Sequence, residues 1–306
     1  ELTDPTIEIA SGSVYDGNAK TPNVTVKDGE NTIDPSEYAV SYDNNVNAGE
    51  NTATVTITDN ANGNYTVSGS AKFSIAKADS ACTAPTPITA LTYTGEAQPL
   101  INAGTTADGT MQYSTDGTHY GTTIPIGENS GEYTVWYKVA GDSNHTDTQP
   151  ASVTVTVAPK TVTATVTVSG GSLTYTGDPL NPDVIVKDGD TVISPEEYDV
   201  SYRDNGNAGT ATVTVRNKAG GNYTVSGGTT FEIGKAASDV RTAPGANTGL
   251  VYNGGEQTLI TAGTALGGKL KYRLGETGEF TEALPKATDA GTYTVYCMVE
   301  GDVNHR

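Results

Sequence analysis

Ser152-Val153-Thr154-Val155-Thr156-Val157 sets valine on one side of an extended chain and threonine on the other. Successive side chains of a β-strand point to opposite faces, so this alternation describes a strand with one buried face. Ala211-Thr212-Val213-Thr214-Val215 repeats the pattern. Strands of this length recur along the chain between Gly, Asn and Asp turns, which reads as a sandwich of sheets rather than a parallel sheet. Composition agrees. Gly, Thr, Asn and Val are abundant while Leu, Met and Phe are scarce, a bias toward strands and tight turns and away from helices.

The strands are organised by an internal repeat. Tyr-x-Gly occurs at Tyr15-Asp16-Gly17, Tyr93-Thr94-Gly95, Tyr175-Thr176-Gly177 and Tyr252-Asn253-Gly254, with spacings of 78, 82 and 77 residues. A second tyrosine follows each, at Tyr42, Tyr113, Tyr202 and Tyr272, after gaps that alternate between 27 and 20. Two subtypes therefore alternate. The first, residues 1–77 and 160–234, carries V-K-D-G (from Val26 and Val186), E-Y-x-V-S-Y (from Glu37 and Glu197), N-A-G (from Asn47 and Asn207) and G-N-Y-T-V-S-G (from Gly63 and Gly221). The second, residues 78–159 and 235–306, carries Y-x-G-x-x-Q-x-L-I (from Tyr93 and Tyr252), G-x-Y-T-V, and V-x-G-D-x-N-H (from Val139 and Val299).

Asp289-Ala290-Gly291-Thr292-Tyr293-Thr294-Val295 narrows the fold. Immunoglobulin-like sandwiches place a tyrosine near the start of strand F, two residues before a buried inter-sheet position, with its hydroxyl bonded to backbone upstream. Tyr293 and Val295 fit that tyrosine corner, and Asn129 to Val135 repeats it with Tyr133. First-subtype modules have Ala at the corner (Ala211), which leaves Tyr65 and Tyr223 as candidate anchors there. The expected fold is all-β, four tandem immunoglobulin-like β-sandwiches in an elongated array.

The Y-D-G, N-A-G and G-N-Y-T-V elements resemble the YDG/YGX-type immunoglobulin-like repeats of large surface proteins from Gram-positive and gut anaerobic bacteria. The resemblance spans essentially the whole chain. It implies an extracellular, multi-repeat stalk or adhesin, with no catalytic residues and no defined ligand. Such proteins often lack disulfides, and Cys82 and Cys297, in different repeats, are not expected to pair.

A net charge of -19, from 17 basic and 36 acidic residues, argues against nucleic acid, whose phosphates need Lys and Arg. It would also be repelled by an anionic membrane surface. No apolar run approaches the roughly 20 residues that span a bilayer. The opening Glu1-Leu2-Thr3 is no signal peptide, so targeting and anchoring segments are expected outside these residues. The junctions, Ile75 to Ala78, Val157 to Thr161 and Ile233 to Ala236, are short and not Gly/Ser-rich. Four modules of ~35–40 Å would make a monomeric rod roughly 150 Å long. The fourth module stops at Gly301-Asp302-Val303-Asn304-His305-Arg306, without the counterpart of Ser152 to Val157. That leaves an open edge able to pair with another chain.

Few residues suggest chemistry. Asp43-Asn44-Asn45-Val46-Asn47 resembles the start of a calcium loop, but Ala48 and Thr54 stand where the EF-hand needs Gly and Glu. An Asn-rich turn is the simpler reading. His145 and His305 occupy equivalent Gly-Asp-x-Asn-His turns, each offering fewer ligands than zinc prefers, so polar turns are expected and no metal or cofactor. Three histidines and no G-x-S-x-G elbow argue against a hydrolase triad, and short loops leave little room for a glycosidase cleft. Along Tyr133 to Val139, Tyr133, Val135, Tyr137 and Val139 share the inner face. Trp136, the only tryptophan, then points outward, with Tyr296 in its place in the fourth module. An exposed aromatic there could stack on a host glycan or contact a surface protein; cross-strand packing is the alternative. The same alternation puts Cys297 on the inner face as a buried thiol. Lys27 and Lys187 are expected to face solvent rather than form isopeptide cross-links. Three functions remain: a spacer, an adhesin, or accessory repeats of a secreted carbohydrate-active enzyme. None makes these residues an enzyme.

Overall fold

A computed structural model describes residues 5–306. The described residues form strands, turns and loops, with 3₁₀ turns at Pro35–Glu37 and Pro195–Glu197 and no α-helix. No helix among them is long and apolar enough to cross a membrane. The chain divides into two units, Glu1–Ala158 and Pro159–Arg306. That division falls one residue before the 159/160 boundary read from the repeat.

In the first unit, Thr6–Ile9, Val24–Asp28 and Asn31–Thr32 form one antiparallel sheet; Tyr38–Asp43, Gly49–Asp59 and Gly69–Ile75 form another. Alternate residues Ala53, Val55 and Ile57 are at most 1% exposed. Val55 and Ile57 meet Val26 of the facing sheet in a common core with Ile33, Tyr38 and Val67. Burying each aliphatic side chain contributes about 1.5–3 kcal/mol, so the alternation sets which face turns inward. Further along, Gly131–Gly141 lies between Gly109–Ser114 and Ala151–Ala158, and the latter also runs parallel to Leu91–Thr92. Val135, Val155 and Val157 pack there on Leu100, Ile101 and Tyr113.

In the second unit one segment borders both sheets. Lys160–Thr163 runs parallel to Tyr223–Gly234, Thr165–Val168 crosses to pair antiparallel with Val184–Asp188, and Leu173–Thr174 returns to the first sheet. Val162, Val166, Val186, Val213 and Val215 are buried together. The remaining module has a smaller buried core, Ile260, Leu270 and Tyr272, and among the described residues its Val295–Gly301 strand pairs with Gly268–Leu274 only.

The 17 tyrosines, against three phenylalanines, have a structural reason. Tyr133 Oη donates to the Asn129 carbonyl at 2.7 Å and Tyr293 Oη to that of Asp289 at 2.8 Å, each four residues upstream. In the other modules Tyr42 and Tyr202 serve as anchors, their hydroxyls donating to the carbonyls of Pro22 and Pro182. Burial pushes both hydroxyls above their ordinary pKa and keeps them donors. Tyr65 is instead 45% exposed, in a loop held by Glu37, whose carboxylate accepts from the amides of Asn64 and Tyr65. Glu197 holds Asn222 in the same way, which explains why E-Y-x-V-S-Y and G-N-Y-T travel together.

Cys297 is exposed rather than buried. It sits on the inner face by alternation, but among the described residues no strand covers that edge. Lys27 is half-buried and paired with Glu8 of the adjacent strand at 2.7 Å, an ordinary cross-strand ion pair.

Candidate functional site at the joint within each unit

The Gly-Asp-x-Asn-His turn is more than a polar turn. Asp142 Oδ1 accepts from the Asn144 amide at 2.7 Å and lies 2.8 Å from His145 Nδ1, an Asx-type arrangement that fixes the loop. The loop then presents the Asn144 side chain to the preceding module. Asn144 Oδ1 accepts from the Ala48 amide at 2.9 Å, and Nδ2 donates to Asn47 Oδ1 at 3.2 Å. Its carbonyl accepts from the Ala78 amide, and Lys77 Nζ donates to the carbonyls of Asp142 and His145 at 2.7 and 3.1 Å. The His145 ring meets Tyr15 edge-on, centroids 5.3 Å apart. One five-residue loop thus engages the N-A-G turn, the Tyr-x-Gly tyrosine and the junction lysine of its neighbour.

The second unit repeats the joint with the equivalent residues. Asn304 Oδ1 accepts from the Ala208 amide at 2.9 Å and its Nδ2 donates to Asn207 at 3.1 Å. Lys235 Nζ donates to the Asp302 carbonyl at 2.9 Å, and His305 meets Tyr175 at 5.2 Å. One position differs. His145 Nε2 lies 3.7 Å from Asp108, whereas Gly267 has φ +74° beside His305, and a Cβ there would come within 2.3 Å of the ring. Glycine at 267 lets the imidazole lie against the backbone.

The loop acids carry an electrostatic signature. Asp142 is held below its ordinary pKa of 3.8, first by the Asn144 amide and then by His145; Asp302 is lowered first by His305 and then by the Asn304 amide. A carboxylate with a depressed folded-state pKa contributes stability above its unfolded value, and that contribution is lost as pH falls through the folded value. The joint is therefore expected to weaken below about pH 4. Asp142→Asn with Asp302→Asn should flatten the acid limb of the thermal-stability profile between pH 5 and 2. An unchanged limb in the double variant would mean that these acids do not carry it.

The aromatic face is engaged within the molecule. Trp136 is half-buried; Gly117, at φ +73°, lies against it, and a Cβ there would sit 3.3 Å from the indole. It points outward as expected but is only partly exposed, because the turn that carries Gly117 lies over it. Tyr296 is 37% exposed and faces the Arg273 guanidinium at 5.3 Å, which also lies 4.5 Å from Phe280. In the Asp43–Asn47 turn, Asn45 Nδ2 donates to the Lys20 carbonyl and Asn47 serves the joint. Among the described residues, no group of three or more His, Cys, Asp or Glu is arranged to hold a metal ion. A cleft of about 910 Å³ opens between Ala10–Val14 and Phe73–Lys77; its charged lining residues are Glu50, Lys72 and Lys77.

No family model matches the chain, and no curated protein matches it. A solved structure, "Sidekick-1 immunoglobulin domains 1-5", is similar at 13% identity and a TM-score of 0.28, over 96% of this chain and 78% of that one; a likeness this weak carries no argument. The signal for the joint lay in the repeat itself. N-A-G belongs to one subtype and G-D-x-N-H to the other, so the markers alternate as two halves of one contact would.

Proposed function

We propose that the chain is a run of spacer modules from a bacterial cell-surface protein, assembled from clasped pairs, that projects a terminal domain from the cell wall. The observation that carries this reading is the duplicated joint: the same asparagine, lysine, histidine and tyrosine link the two modules of each unit. Inter-domain surfaces within a chain otherwise allow relative motion by default. Fixing two neighbours at one angle serves a spacer, whose function is the distance it maintains. The resemblance to Gram-positive surface repeats supports an extracellular location. The adhesin alternative rests on Trp136, half-buried beside Gly117, and on Tyr296, 37% exposed beside Arg273.

Small-angle scattering on the whole chain tests the reading. An elongated particle is expected, and Asn144→Ala with Asn304→Ala should broaden its distance distribution. A compact particle would overturn it.

A further inference from the structure

The second and fourth modules share one sequence pattern but differ in the chemistry of one sheet face. Gly109–Ser114 and Gly268–Leu274 are equivalent strands: Tyr113 opposes Tyr137 and bridges to Gly121, as Tyr272 opposes Cys297 and bridges to Thr281. On the face opposite these tyrosines the second module carries Thr110, Gln112 and Ser114, all uncharged. The fourth carries Lys269, Lys271 and Arg273 at the same positions. The charge of the whole module differs too. Residues 235–306 hold seven Lys and Arg against eight Asp and Glu, net -1, so the other three modules carry -18 of the chain's -19.

The three cations are not equivalent. Lys269 is paired with Glu282 at 2.9 Å and Lys271 with Glu300 at 2.6 Å. Arg273 pairs with no carboxylate among the described residues, and its Nε is buried without a hydrogen-bond partner. Its guanidinium lies instead 4.5 Å from the centre of the Phe280 ring and 5.3 Å from that of Tyr296. Cation–π attraction holds the planar group in place but leaves its N–H donors without an oxygen acceptor. Ser114, the counterpart, bonds Asp116 at 2.8 Å within its own turn. Arg273 makes no such bond, so the turn after it forms without its help.

We infer that Arg273, with Phe280 and Tyr296, binds the carboxylate of an acidic saccharide. The guanidinium is a planar fork that matches the two oxygens of a carboxylate. Lys269 and Lys271 each hold a carboxylate along the same row, and the third cation lacks only the acid that its neighbours have. The two rings beside it offer apolar surface to the C–H face of a sugar. A peptide is the poorer occupant, because the site lies on the face of a sheet and peptides that add to sheets do so along an edge. The site is independent of the spacer reading, which rests on the joints.

Calorimetric titration of the intact chain with a galacturonate tetramer tests this assignment. Saturable binding is expected, with a neutral galactose tetramer and tetraglutamate each binding at least tenfold more weakly. Arg273→Ser installs the residue that the second module carries on the equivalent strand, and should weaken binding tenfold or more. Arg273→Lys keeps the charge without the fork and should bind less tightly than the parent. Arg216→Gln removes one charge from the third module and should leave binding unchanged. Absence of binding, equal binding by Arg273→Ser, or an equal loss in Arg216→Gln would overturn the inference. Equal binding of the neutral tetramer would make stacking alone the basis, and equal binding of tetraglutamate would make the ligand a peptide; either result overturns the assignment.

Discussion

Asn144→Ala is expected to uncouple the second module from the first and to split the calorimetric unfolding of the first unit into two transitions. The side chain satisfies the Ala48 amide with its oxygen and reaches Asn47 with its nitrogen, both in the neighbouring module. Alanine leaves a partly buried amide without its acceptor, a loss of about 1–3 kcal/mol concentrated on the joint. Asn144→Asp separates the two bonds. Its carboxylate can still accept from Ala48 but cannot donate to Asn47, so it should recover part of the coupling. A double-mutant cycle between Asn144→Ala and Asn47→Ala should give an interaction energy of about 0.5 kcal/mol or more. Asn304→Ala should act the same way on the second unit and leave the first unchanged. If Asn144→Ala unfolds as the parent does, the joint is a passive contact.

Ile101→Ala and Ile260→Ala should differ, although both stand at the end of Y-x-G-x-x-Q-x-L-I. Ile101 is 2% exposed in a six-residue buried cluster closed by Val155 and Val157. Removing its side chain there leaves a cavity and should cost about 2–5 kcal/mol, read as a lower denaturation midpoint for that module. Ile260 is 7% exposed in a buried cluster of three, beside an edge that no described strand covers. Its surroundings can relax into the vacated space, and its cost should fall at or below the lower end of that range. Equal penalties would show that the two cores are packed alike.

What was legible in the sequence was local. Val155 and Val157 are buried and Thr154 and Thr156 exposed because backbone geometry turns every second side chain the same way. Tyr133 and Tyr293 reach carbonyls only four residues upstream, so a short motif contains both partners. Tyr42 and Tyr202 were missed as anchors because their acceptors lie 20 residues away, across the sandwich. Trp136 was placed on the correct face, but its covering is a turn whose path alternation does not predict.

The amino-acid sequence by itself determined the class of structure, the number of repeats, their alternation and the inward set of side chains, since strand periodicity and turn chemistry act over a few residues. Tertiary structure alone decided which repeats clasp and which side chains find a cover. Asn144 meets Ala48 across 96 residues, and the exposure of Cys297 depends on whether a strand lies beside it. A side chain's inward direction is set by its own backbone, but its burial requires a neighbour brought by the rest of the fold.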